Sequence, residues 1–203
     1  MGTFQKYVEC GVLKRILVLL VLAFALASCG QDQQELQLHG TDITQSKLKG
    51  EFSLMDHEGR QRQLGDFKGK VVVVVFGYTH CPDVCPTMLL SMAGAMKLLG
   101  DKAQDVQVLF VTVDPGRDTQ DVLAQYVPFF DSRFIGLYGT EKQVQQVAKN
   151  YRVAYKKQYV EGGGYTVDHS AGVYVLDREG YVRAYLRHDE TPAQLAEDIT
   201  HFF

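Results

Sequence analysis

The amino-acid sequence predicts an α/β domain with a central mixed β-sheet flanked by helices and preceded by an N-terminal hairpin. Three observations support this fold class. The unbroken apolar run from Val71 to Phe76 is typical of a central strand that is buried on both faces. Downstream, strand-like and helix-like segments alternate, and the chain finishes with a hairpin and a helix. A chain of 203 residues, 46% of them hydrophobic, has room for one such domain and a leader.

Local signals mark the individual elements. Apolar residues recur at helical spacing after Pro86, which suits the first position of a helix with Cys85 near its cap. Asp118 is a predicted N-cap, and Thr140 with Gln143 forms a capping box. In chain order we expect a hairpin over 52–63, a strand over 71–76, a helix over 86–99, a strand over 106–113, a helix over 119–127, a strand over 134–137, a helix over 140–151, an extended segment over 152–159, a hairpin over 171–186 and a helix from 191.

The first 28 residues have the features of an export signal. Basic residues precede a short apolar run over 16–25, and Leu26-Ala27-Ser28-Cys29 resembles the bacterial lipobox. That resemblance implies a lipoprotein signal peptide over 1–28, cleavage before Cys29 and lipidation of this cysteine. An uncleaved anchor with one membrane span is the alternative. Either leader places the domain on the extracytoplasmic face of a bacterial membrane, which is the periplasmic side in a Gram-negative cell.

Residues 29–49 are polar, rich in glutamine and without periodicity. We predict a flexible tether here, with an ordered arm as the alternative, and a folded domain over 50–203. The formal net charge of -3 offers no basic surface, so we expect no nucleic-acid partner.

The sequence Gly-Tyr-Thr-His-Cys-Pro-Asp-Val-Cys-Pro occupies residues 77–86, between the apolar strand and the next helix. Cys81 and Cys85 could exchange between dithiol and disulfide, or they could bind a soft metal ion together. An inert disulfide is a third option, although closing so short a loop removes little chain entropy. Backbone N–H groups converge at a helix N-terminus and favour a thiolate, which serves redox exchange and metal binding alike. The cysteines alone therefore leave the choice open.

A third ligand is suggested by the position of one histidine. A strand, cysteines at the start of a helix and a terminal hairpin with a helix together resemble the thioredoxin fold. In that fold, the loop before the terminal hairpin faces the cysteines and carries a cis-proline in thioredoxin-type reductases. None of the five prolines lies there, and His169 takes the place. The other histidines are expected to be solvated or remote: His39, His57, His80, His188 and His201.

Two thiolates and one imidazole form a soft donor set of low coordination number. Such a set suits copper, and also zinc, although zinc usually takes four ligands. Three methionines at helical spacing after the cysteines could bind Cu(I) as well, but we expect them to pack in the core. They are Met88, Met92 and Met96.

Three markers together resemble the SCO/SenC family of copper-binding, thioredoxin-like proteins. They are the ten-residue segment 77–86, the sequence Val113-Asp114-Pro115 followed by Arg117-Asp118-Thr119, and Asp168-His169-Ser170. The resemblance covers the chain from about residue 52 to its end. It implies that Cu(I) or Cu(II) is bound by Cys81, Cys85 and His169. The family usually has a glutamate where this chain has Gly116.

The resemblance implies a metallochaperone for the dinuclear CuA centre of cytochrome c oxidase. The partner would be the oxidase subunit that carries CuA, with other copper chaperones as further partners. The alternative function is a thiol–disulfide oxidoreductase that reduces that subunit or other extracytoplasmic proteins and forms a Cys81–Cys85 disulfide. A peroxiredoxin is disfavoured because neither cysteine has threonine three residues earlier, as the signature of that class requires. Whether the protein is an enzyme stays open at this point.

Overall fold

The structure, a computed structural model, describes residues 37–46, 48 and 50–203. The strands in this part of the chain are β1 (Thr41–Asp42), β2 (Ser53–Asp56), β3 (Gln61–Gln63), β4 (Val71–Gly77), β5 (Val106–Thr112), β6 (Ile135–Tyr138), β7 (Tyr155–Tyr159), β8 (Tyr165–His169), β9 (Gly172–Leu176) and β10 (Val182–Arg187). The α-helices are α1 (Val84–Leu98), α2 (Gln120–Phe130), α3 (Glu141–Asn150) and α4 (Pro192–Thr200).

Eight of the strands form one mixed sheet with the order β1-β10-β9-β4-β5-β6-β2-β3. Strands β4, β5 and β6 run parallel, whereas each remaining pair of neighbours is antiparallel. The β2–β3 hairpin extends the sheet beyond β6. The predicted mixed sheet with an N-terminal hairpin is therefore confirmed.

Strand β4 lies at the centre of the sheet, as its apolar run predicts. All of its residues are buried, and its neighbours are β9 on one side and β5 on the other. Side chains of a strand alternate between the two faces. Val71, Val73 and Val75 pack with apolar residues of α1 and α4, while the alternate positions pack with residues of α3. This two-layer core fixes where β4 ends and α1 begins, which is where the cysteines lie.

Two helix starts differ from the prediction. Helix α1 begins at Val84 with Asp83 in the N-cap position, so Cys85 is inside the first turn rather than at the cap. Pro86 is compatible with that turn because the first N–H groups of a helix have no intrahelical partner. Helix α2 is capped by Thr119, whose side chain accepts a hydrogen bond from the Val122 N–H. The predicted N-cap role of Asp118 is thus wrong.

The ordered domain starts before residue 50. Strand β1 pairs with β10 at the edge of the sheet, and the backbone N–H groups of His39 and Gly40 donate to the buried carboxylate of Asp198 in α4. Residues 37–46 therefore belong to the folded unit, and the ordered-arm alternative describes them better than a flexible tether. The signal peptide, Cys29 and the first part of the tether lie outside the described residues.

The extended segment predicted over 152–159 forms β7, and it pairs with a strand that the sequence did not predict. Strands β7 and β8 make a separate two-stranded sheet, joined by a turn that contains Gly162, Gly163 and Gly164. All three glycines have positive φ angles. His169 is consequently the last residue of a strand, not part of a loop.

The remaining predictions at the C-terminal end of the chain agree with the structure. Thr140 and Thr191 each cap a helix through a capping box, completed by Gln143 and Gln194 respectively. Strands β9 and β10 form the expected hairpin. In the described part of the chain, the helices are too short or too polar to span a bilayer.

Candidate metal centre

The candidate site lies where β4 ends and the chain passes into α1. Cys81 is in the connecting loop, Cys85 is the second residue of α1, and His169 ends β8. The two Sγ atoms and one ring nitrogen of His169 all lie within 4.8 Å of one another. Cys85 Sγ is 3.5 Å from His169 Nε2. The structure thus brings His169, which is 84 positions from Cys85 in sequence, together with the two cysteines into one group that could hold a metal ion.

The backbone around the cysteines is folded tightly. The Cys81 N–H donates to the Tyr78 carbonyl at 3.2 Å, and the Cys85 N–H points at Cys81 Sγ at 3.5 Å. A Cβ atom at Gly77 would lie 2.8 Å from Cys85 Sγ and 2.8 Å from the Phe110 ring. Glycine at this position therefore lets the thiol pack directly against the end of β4.

His169 is oriented by its neighbours so that one nitrogen faces the thiols. Its Nδ1 is 3.1 Å from the Ser170 carbonyl oxygen, which can only accept, so Nδ1 carries the proton and Nε2 keeps a lone pair. Tyr78 packs edge-on against the imidazole, with ring centroids 5.9 Å apart. Burial lowers the pKa of His169 and so favours the neutral ring that coordinates metals.

The two thiols differ in exposure and therefore in chemistry. Cys85 is fully buried, and burial raises the pKa of its thiol well above the ordinary value. This direction is opposite to the thiolate stabilisation expected from the helix N-terminus. Cys81 is partly exposed. Both thiols are free in the structure.

Asp118 lies beside the candidate site and has a different role from the predicted N-cap. Its carboxylate is fully buried and accepts three hydrogen bonds, from the Thr79 N–H at 3.0 Å, the Thr79 hydroxyl at 2.6 Å and the Thr112 hydroxyl at 2.6 Å. Burial raises the pKa of Asp118 in spite of these bonds. The residue ties the segment before Cys81 to the end of β5. An Asp-Thr pair before a helix is typical of a cap, so only the tertiary structure reveals this role.

Asp114 and Arg117 belong to a second polar cluster beside the site. The Arg117 guanidinium pairs with the buried carboxylate of Asp114.

The other described histidines lie outside the ligand group. His80 is exposed, as predicted, although it adjoins Cys81 in sequence. His57 was expected to be solvated, but it is half-buried and its Nδ1 accepts a hydrogen bond from the Gly136 N–H at 2.9 Å. His39, His188 and His201 are exposed.

The methionine stripe of α1 packs in the core, as expected. All three side chains are at most 1% exposed and belong to the apolar cluster beneath the sheet: Met88, Met92 and Met96. Within the described residues, Cys81, Cys85 and His169 are the one cluster of three or more potential metal-binding side chains. Two sulfurs and one imidazole nitrogen fit copper, which accepts soft ligands and low coordination numbers.

Comparisons with known proteins agree with this geometry. The chain matches the SCO1/SenC family over residues 40–203. The mitochondrial SCO2 homologue of Bos taurus is 40% identical over 154 residues, which cover 74% of this chain but only 58% of the bovine protein. The sco1 protein of Schizosaccharomyces pombe is 34% identical over 165 residues, or 79% of this chain and 63% of the yeast protein.

Solved structures show the same fold. The copper-bound structure of Bradyrhizobium japonicum ScoI superposes with a TM-score of 0.71 at 36% identity, covering 77% of this chain and 99% of that one. Apo Sco1 from Thermus thermophilus gives a TM-score of 0.74 at 36% identity, covering 84% and 99%. The predicted thioredoxin-like α/β sandwich is confirmed by these matches. With the family match spanning most of its length, the chain belongs to the SCO1/SenC family.

Proposed function

We propose that this protein is a membrane-anchored copper metallochaperone that helps to assemble the CuA centre of cytochrome c oxidase. The observation that carries the proposal is the convergence of Cys81, Cys85 and His169 within 4.8 Å. Copper is present in solved structures of its bacterial and plant relatives. The Sco family comprises cytochrome c oxidase assembly proteins, which supports the oxidase as destination.

The ligands are arranged so that copper could enter and leave from one side. Cys85 forms the buried floor of the site, while Cys81 and His169 are partly exposed at its rim. Incoming thiolates from a partner could replace the rim ligands first and the Cys85 sulfur last. Each replacement exchanges one copper–ligand bond for another, so no oxidant or reductant is needed. The two sulfurs favour Cu(I), and the imidazole also suits Cu(II).

The proposed partner is the oxidase subunit that carries CuA, with other copper chaperones as donors.

We propose that lipidation of Cys29, after removal of residues 1–28, holds the domain on the extracytoplasmic face of a bacterial membrane. The lipobox-like sequence Leu26-Ala27-Ser28-Cys29 supports this location. Mass spectrometry of the membrane-extracted protein should find an N-terminal lipidated Cys29. An intact Met1 terminus would contradict the proposal.

Substitution of the ligands tests copper binding directly. Cys81→Ala, Cys85→Ala and His169→Ala should each weaken Cu(I) binding, measured anaerobically by competition with a chromophoric chelator. His80→Ala is the matched control because His80 adjoins Cys81 but is exposed and outside the ligand group. Unchanged Cu(I) affinity in His169→Ala would remove that residue from the site.

A thiol–disulfide oxidoreductase is the second candidate function. It is favoured by the two free thiols, which lie within 4.8 Å of each other with Cys81 accessible. In such a reaction the Cys81 and Cys85 thiols would be oxidised to a disulfide while a substrate disulfide is reduced to two thiols. Against this function, no proline lies directly before the β9–β10 hairpin, where thioredoxin-type reductases carry a cis-proline.

The two functions place different demands on His169. A reductase needs both cysteines but not the histidine, whereas copper binding through this site needs all three. Reduction of a small disulfide substrate should therefore be abolished in Cys81→Ser and preserved in His169→Ala if the oxidoreductase function is correct. Under the chaperone function, His169→Ala loses copper affinity whether or not it retains reductase activity.

A further inference from the structure

The β7–β8 hairpin carries a ligand and yet is not part of the main sheet. His169 is the last residue of β8, and β8 pairs only with β7. The position of His169 relative to the cysteines therefore depends on how the hairpin is attached to the rest of the domain. Side chains make much of that attachment.

A polar cluster joins the hairpin to the segment that follows β5. The Arg117 guanidinium pairs with the Asp114 carboxylate through Nε and donates from Nη1 to the Tyr165 carbonyl at 2.9 Å. The Tyr165 hydroxyl donates to Asp114 Oδ1 at 2.8 Å, which closes a ring of contacts. Lys157 of β7 lies 4.0 Å from the same carboxylate. Both strands of the hairpin, β7 through Lys157 and β8 through Tyr165, thus contact the buried carboxylate of Asp114.

Aromatic contacts extend this cluster to the candidate site. The Arg117 guanidinium lies 3.8 Å from the centroid of the Tyr165 ring and 5.7 Å from that of Tyr78. Tyr78 in turn packs edge-on against His169. A planar guanidinium can stack on an aromatic ring and donate in its plane at the same time, which an ammonium group cannot do. Stacking on Tyr165 together with hydrogen bonding to its carbonyl therefore needs an arginine at residue 117.

We propose that Asp114 and Arg117 are positioning residues that clamp the β7–β8 hairpin and thereby hold His169 Nε2 against the cysteines. Neither residue belongs to the ligand group. Both act through Tyr165, which lies four residues before His169 on the same strand. The inference rests on the proposed function in so far as His169 binds copper, but the clamp itself is a property of the metal-free protein.

Amide hydrogen exchange in the metal-free protein tests the clamp. Arg117→Gln removes the guanidinium, and exchange of the amides over 165–169 should become at least about tenfold faster. Arg133→Gln is the matched control because it breaks another arginine–aspartate pair, with Asp131, away from the hairpin. The control should leave exchange over 165–169 unchanged.

Arg117→Lys separates positioning from a general contribution to stability. Lysine keeps a positive charge beside the buried Asp114 carboxylate, so most of the global stability should return. Lysine cannot stack on the Tyr165 ring while also donating to Asp114 and to the Tyr165 carbonyl. Rapid exchange of the hairpin amides should therefore persist in Arg117→Lys. Should Arg117→Gln not fold, Arg117→Lys and Tyr165→Phe still test the clamp. Wild-type exchange over 165–169 in both would overturn it.

A double-mutant cycle links the clamp to copper. Loss of a residue that orients a metal-ligating histidine commonly costs about 10–100-fold in metal affinity. Arg117→Gln should therefore weaken Cu(I) binding by at least about tenfold in the wild type and less than about twofold in a His169→Ala background. An equal loss in both backgrounds would show that Arg117 does not act through His169. If the wild type binds no copper, the proposed function fails, while the exchange experiment still decides whether the clamp exists.

Discussion

At the scale of single residues, the candidate ligands were predictable because each has a distinctive sequence context. Cys81 and Cys85 follow a strand and precede a helix, and His169 stands where a proline would otherwise be. Asp118 was not predictable in its actual role, since its carboxylate accepts hydrogen bonds from Thr79, which is 39 positions away in sequence. Roles that depend on contacts distant in sequence leave no local pattern.

His57 illustrates a residue whose environment has a measurable consequence. Burial lowers the pKa of His57, and its Nδ1 accepts from the Gly136 N–H in the folded protein. An unfolded chain has a histidine pKa of about 6.5. As the pH falls below that value, the unfolded chain takes up a proton that the folded protein does not. The free energy of unfolding should therefore decrease until the pH reaches the lowered pKa of the folded state.

His57→Asn should remove this part of the pH dependence, because an amide oxygen can accept the same hydrogen bond without titrating. Urea denaturation between about pH 7 and about pH 5.5 should show a smaller decrease in stability for the variant than for the wild type. His188→Asn, at an exposed turn position, is the control and should retain the wild-type slope. Identical slopes for His57→Asn and wild type would contradict the assignment.

At the scale of secondary structure, the junction between β4 and α1 was predicted well and the β7–β8 hairpin poorly. The unbroken valine run identifies β4, and the helical spacing of apolar residues identifies α1. Strand β7 has the polar sequence Tyr-Lys-Lys-Gln-Tyr and shows no apolar alternation. Strand β8, Tyr-Thr-Val-Asp-His, alternates over only five residues, and Val167 is its one buried side chain. So short a pattern does not predict a strand.

The β4–α1 junction depends on the absence of a side chain at residue 77. Gly77→Ala should destabilise the protein by about 1–3 kcal/mol and weaken copper binding, because the new methyl group would displace Cys85 Sγ or Phe110. Thermal denaturation and Cu(I) competition measure the two effects. Gly65→Ala is the control, since its Cβ would meet nothing within 4 Å. A Gly77→Ala protein with wild-type stability and copper affinity would show that the close packing is unimportant.

At the scale of the whole molecule, fold class and strand alternation were predictable, but the N-terminal limit of the domain was not. Residues 37–46 are polar and aperiodic in sequence. Their order comes from pairing of β1 with an edge strand and from backbone donation to Asp198, a residue more than 150 positions away. Such contacts satisfy backbone groups and do not require an apolar pattern.

The length of the folded unit can be checked by truncation. A protein that starts at Gln37 should have the stability of the full domain. A protein that starts at Gly50 loses β1 and leaves the buried carboxylate of Asp198 without its two N–H donors, which should cost at least about 2 kcal/mol. Urea denaturation of both proteins measures the difference. Equal unfolding midpoints would contradict the structural role of residues 37–46.

An anaerobic titration with Cu(I), performed on the reduced protein and on the protein with Cys81 and Cys85 oxidised to a disulfide, tests the central proposal most directly. Copper needs both sulfurs as free ligands. We predict that the reduced protein binds one Cu(I) tightly and that the oxidised protein binds none. Absence of binding in both redox states, or equal binding in both, would contradict a copper site built from Cys81, Cys85 and His169.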